Sequence, residues 1–104
     1  MADEIEQDVP RKSAEQIARD LRKIFRKDFG GKPNGRFQMG RVSFRKLCGR
    51  QNLRDSLVQE VADQLLDYGF VLTHVGDFVA IQKVETLRSF RRVPTAVRME
   101  FTPK

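Results

Sequence analysis

The sequence predicts an α+β fold: a small domain of three helices, one short strand and a closing β-hairpin. Three patterns predict it. Apolar residues recur at helical spacing from Ala14 towards Phe29. A short helical stretch, a polar turn and a longer amphipathic stretch then follow one another after Ser43, and two β-rich runs flank Gly76-Asp77. At 104 residues the chain has room for one core and no more.

The elements follow in order. Residues 1–12 open with Asp3, Glu4, Glu6 and Asp8, lack an apolar period and contain Pro10, so they are expected as a disordered acidic arm. Ser13 and Gln16 make a capping-box pattern, and Ala14, Ile17, Ala18, Leu21, Ile24, Phe25 and Phe29 form one stripe. A first helix is therefore expected from 14 to about 29, closed by Gly30-Gly31. The turn-rich GGKPNGR loop leads to a short strand over 37–42. Ser43 is the expected cap of a second helix, 44 to about 48, with Phe44, Leu47 and Cys48 turned inward.

After the turn Gly49-Arg50-Gln51-Asn52, Asn52 is the expected cap of a third helix over 53–68. Leu53, Leu57, Val58, Val61, Ala62, Leu65 and Leu66 supply its apolar face. Tyr68-Gly69 ends it, because glycine takes the left-handed cap conformation without steric cost. Residues 70–75 and 78–83 are then two strands joined by a two-residue turn.

Charge is distributed unevenly. Residues 1–10 carry four acids and no base, residues 11–54 carry fourteen Lys or Arg against Glu15, Asp20 and Asp28, and residues 55–104 carry six bases against seven acids. The net of +6 thus resides in one contiguous block. A block of this kind suits a surface that meets phosphates, and it equally suits a solvated face.

The succession of short helix, turn, long helix with a Tyr68-Gly69-Phe70-Val71 stop, and hairpin resembles the winged helix-turn-helix family over residues 14 to 83. That resemblance implies a domain over 13–84 that places its third helix in the major groove of double-stranded DNA, as in a transcriptional regulator or an accessory factor of a mobile element. Base reading is expected from Arg50, Gln51, Asn52, Arg54 and Gln59, whose amide and guanidinium groups can pair with adenine or guanine edges. Phosphate anchoring is expected from Arg22, Arg26, Arg45 and Lys46. The C-terminal end of the helix, with Glu60, Asp63 and Asp67, should stand away from phosphates, and the wing tip at Asp77 is acidic. The alternative is an adaptor that binds a protein, or RNA, through the same fold.

Beyond Val84 the pattern changes. Leu87, Phe90 and Val93 lie beside Arg88, Arg91 and Arg92, and Val97, Met99 and Phe101 alternate with Arg98 and Glu100, as in a half-buried strand. Residues 85–104 are expected as a basic linker and C-terminal strand, with a homodimer contact, an added edge strand and a free tail as the alternatives. The chain is expected not to be an enzyme: His74 is the lone histidine, Cys48 the lone cysteine, and no metal-ligand spacing or nucleotide-binding glycine loop occurs. No cofactor is expected. Neither a membrane span nor a signal-peptide pattern is present, and a cytoplasmic location is expected.

Overall fold

The structure, a computed structural model, describes residues 11–103, so the expected acidic arm before Arg11 lies outside the described residues. The fold is a small α+β domain. Its elements are α1 (Ala14–Arg26), β1 (Phe37–Gly40), α2 (Arg41–Leu47), α3 (Asp55–Asp67), β2 (Phe70–Val75), β3 (Phe78–Lys83), α4 (Val84–Arg88) and α5 (Thr95–Phe101). The strands form one antiparallel sheet in the order β1-β3-β2.

The capping box forms as the sequence requires. Ser13 Oγ accepts the Gln16 backbone N–H at 3.2 Å, and Gln16 Oε1 accepts that of Ser13 at 2.9 Å. The stripe Ile17, Ala18, Leu21 and Phe25 is buried. α1 nevertheless stops at Arg26 instead of reaching Phe29. Lys27 turns to an extended conformation, and Phe29 pairs with Lys32 across Gly30-Gly31, both at positive φ (61° and 89°). Phe29 leaves the helix to meet the Phe37 ring edge-on at 6.1 Å.

β1 also ends early, at Gly40, and α2 begins at Arg41, three residues before the expected start. Ser43 is not its cap. The Arg41 backbone N–H donates to the Asp77 carbonyl at 2.6 Å, so the hairpin turn satisfies the first N–H of α2, and no side chain caps it. Phe44 and Cys48 are fully buried and Leu47 partly so.

α3 starts at Asp55 with Arg54 at the N-cap, not at Leu53 with Asn52 as cap. The cause lies in side chains of α2. Arg45 Nη1 donates to the carbonyls of Arg50 (3.1 Å) and Gln51 (3.3 Å), and Arg41 Nη2 donates to that of Leu53 (3.4 Å), which holds 50–53 as a turn. On α3, Val58, Val61 and Leu65 face the core, while Leu66, expected on the apolar face, is 57% exposed. The helix ends at Gly69, whose φ of 82° closes it and whose carbonyl accepts the Val84 N–H at 2.9 Å.

The hairpin is in the expected register, with Val75 opposite Phe78 around Gly76-Asp77. Helices α1 and α3 pack on each other, and α3 lies on β2. Ile17, Leu21, Phe44, Val61, Leu65, Val79 and Ile81 fill the space between helices and sheet. Phe25 and Phe70 meet edge-on at 5.0 Å at the end of the core. The expected C-terminal strand is not formed. Residues 95–101 are the helix α5, started by Pro94 in an extended conformation, and no sheet edge receives them. Alternation of Val97, Met99 and Phe101 is compatible with either state, because residues 97 and 101 also lie one helical turn apart.

Candidate nucleic-acid interface

The two ends of α1 carry different basic surfaces. The start of α1 lies against the turn: the Lys12 N–H donates to the Cys48 carbonyl (3.4 Å), Arg50 Nη2 donates to the Lys12 carbonyl (2.9 Å), and Lys12 Nζ pairs with Asp20 at 2.8 Å. Lys12, at the boundary of the expected arm, is therefore fixed to the body. Its other end lies by Phe70, next to the close of α3. Thirteen residues separate these ends by about 20 Å.

At the turn end, Arg11, Arg50, Gln51, Asn52, Arg54 and Leu57 line a hollow of about 250 Å³. Among the described residues, no carboxylate lines it. Asn52 and Arg54 are exposed there, Arg54 at the first step of α3, where the helix dipole adds positive potential. Arg50 is half-buried and engaged with Lys12, and its Nε is buried without a hydrogen-bond partner, so its guanidinium presents only part of its fork to the hollow. Gln51 is exposed, and its backbone carbonyl is held by Arg45.

Four of the five residues expected to read bases are thus brought together. The fifth is not. Gln59 Nε2 donates to Asp63 Oδ1 at 2.9 Å, and Gln59 lines a different groove, between α3 and β2. Of the expected phosphate anchors, Arg45 is part of the turn, whereas Lys46 is exposed on α2. Arg22 and Arg26 lie one turn apart towards the far end of α1. The Arg22 guanidinium stacks over the Tyr68 ring at 3.6 Å from its centroid, with its Nε buried and unpartnered. Lys83 Nζ stands 5.8 Å from the Phe25 ring centroid at the same end.

Comparison with known proteins finds no matching family model, no similar curated protein and no similar solved structure.

Sequence reasoning missed three contributors. Arg11 falls within the expected arm. Arg41 was assigned to the strand, yet its Nη1 donates to His74 Nε2 at 3.0 Å while its Nη2 reaches Leu53, tying the hairpin to the turn before α3. Tyr68 was read only as part of the helix stop, and its place beneath Arg22 is a contact across 46 residues that no local signal marks. Cys48 is wholly buried, and burial pushes its thiol up to about 11 against the opposing pull of Arg50 and Lys12. That suits a core residue and not a nucleophile. Among the described residues, no group of three or more His, Cys, Asp or Glu is placed to hold a metal ion, and no helix is long and apolar enough to cross a membrane.

Proposed function

We propose that this chain is a double-stranded-DNA-binding domain of winged-helix type that approaches DNA with the turn and the first residues of α3. The observation that carries this reading is the hollow where Arg11, Arg50 and Arg54 converge with Gln51 and Asn52, with no carboxylate among the described residues that line it. Guanidinium and amide groups gathered at a helix start can both neutralise phosphate and pair with base edges. The element order and the pairing of β1 with the hairpin support the winged-helix assignment. Arg54, Asn52 and Gln51 are the base-reading groups in this reading. Arg11 and Lys46 hold phosphates beside them, and Arg22 and Arg26 meet the backbone about 20 Å away.

Most of the outer face of α3 is unsuited to DNA. Glu60, Asp63 and Asp67 are exposed along it, so insertion is confined to its start. A transcriptional regulator or a mobile-element accessory factor is the class of protein this arrangement serves.

The test is fluorescence anisotropy with labelled duplex across a salt series. Affinity should fall by about 0.9 log unit per log unit of salt for each phosphate engaged. Arg54→Ala should reduce preference for a selected site by about 1–3 kcal/mol with unchanged melting temperature. Binding that ignores salt, or no binding at low salt, rejects the proposal.

A further inference from the structure

Residues 88–103 are exposed throughout, although they include Phe90, Val93, Val97, Met99 and Phe101. Water is a poor environment for such a density of large apolar side chains. Within α5, Val97 and Phe101 share one face, since four residues make about one turn. The arm is also basic: Arg88, Arg91, Arg92 and Arg98 stand against Glu100 alone, a net of +3 over 88–103.

The body offers a surface of the opposite kind. A groove of about 460 Å³ runs between α3 and β2, with Val58, Ala62 and Leu72 contributing apolar surface and Asp55, Gln59 and His74 polar groups. Leu66, one turn beyond Ala62, extends the apolar surface and is itself 57% exposed. Glu60, Asp63 and Asp67 lie exposed on the outer face of α3. Apolar surface flanked by acids matches apolar surface flanked by arginines.

We propose that the arm of one molecule seats in the α3–β2 groove of a second copy, and reciprocally, to form a two-fold dimer. Val97 and Phe101 enter the groove, and Arg91, Arg92 and Arg98 face Glu60, Asp63 and Asp67. A second copy is the occupant because α4, which launches the arm, packs on β3, and residues 89–103 stay exposed on their own chain. The size is adequate. Four phenylalanines from two arms, at about 150–250 Å² each, together with the valines and methionines, approach the roughly 1,200–2,000 Å² of a stable interface. Reciprocal exchange also suits the self-complementarity that a two-fold contact demands. The acidic face of α3 is then covered, and the hollow before α3, with Asn52 and Arg54, lies outside the groove.

Sedimentation equilibrium of the full chain without nucleic acid tests this independently of the DNA reading. The chain should be dimeric at micromolar concentration. Phe101→Asp should give a monomer with an unchanged circular-dichroism spectrum, as these side chains contribute nothing to the body. Glu60→Lys with Asp63→Lys should also dissociate the dimer, as should Arg91→Glu with Arg92→Glu. Uniting the two reversed pairs should recover affinity by about tenfold over either alone. A monomeric full chain, a dimer that survives Phe101→Asp, or no recovery in the united variant overturns the proposal.

Discussion

Arg45 is the position that best distinguishes a direct phosphate contact from a scaffold for the proposed binding surface. Sequence position makes it a phosphate anchor, but its Nη1 reaches two carbonyls, at 3.1 and 3.3 Å, in the turn that precedes α3. Hydrogen bonds from a charged donor contribute about 1.5–3 kcal/mol when shielded and less at the surface. The Arg50 bond is partly buried and the Gln51 bond exposed, so losing both by Arg45→Ala should cost about 2 kcal/mol. In a domain of this size that is a fall of roughly 8–16 °C in melting temperature. Arg45→Lys keeps the charge but replaces a planar fork by a point donor, so it should retain at most one of the two bonds and lose about half as much. Thermal unfolding followed by circular dichroism gives the stability, and the salt series gives the phosphate count. Both variants should lower the melting temperature while leaving the salt slope unchanged. If instead Arg45→Lys behaves as the parent in both assays and Arg45→Ala reduces the slope by about 0.9 at unaltered stability, Arg45 is a phosphate anchor and the structural argument is wrong.

Two further outcomes are expected. Because burial pushes the Cys48 thiol up to about 11, the unfolded chain ionises first as pH rises. The stability this contributes is therefore complete below 9.0 and is lost as pH climbs through about 11, by an amount on the order of 2–3 kcal/mol. Urea unfolding below pH 9.0 and near pH 11 should show the loss, Cys48→Ala should flatten it, and a thiol reagent that labels the native protein rapidly at neutral pH would contradict the burial. Tyr68 is the one tyrosine in a chain without tryptophan, so its fluorescence reports on the Arg22 stack alone. Duplex that engages Arg22 and Arg26 should change Tyr68 emission, and Arg22→Ala should abolish that response while costing about 0.5–1 kcal/mol of stability. A saturating duplex that leaves Tyr68 emission unaltered would confine contact to the turn end.

Where local chemistry decided an element, the sequence was sufficient to read it. The Ser13–Gln16 box, the Gly69 stop and the Gly76-Asp77 hairpin depend on neighbours within a few residues, and each stands where the pattern put it. Boundaries moved where a distant group supplied the missing partner. Asp77 caps α2 from the hairpin, and Arg41 and Arg45 hold the turn that delays α3 to Asp55. The tail was misread for another reason: alternation over five residues cannot distinguish a strand from seven residues of helix when no core lies beneath either.

Bonding to backbone carbonyls outside their own elements also sorts the arginines. Arg41, Arg45 and Arg50 have donors directed to backbone carbonyls, so part of the basic block that looked like a binding surface is internal scaffolding. Composition cannot make that distinction, since an arginine bound to a carbonyl and one open to a phosphate count alike. The charge available for a partner at the turn end is correspondingly smaller than the block suggests. It resides chiefly in Arg11, Lys46 and Arg54, held in place by the arginines that are occupied. Substitution within the scaffold and substitution at the surface should therefore weaken a nucleic-acid complex by separable routes, one through stability and the other through salt dependence.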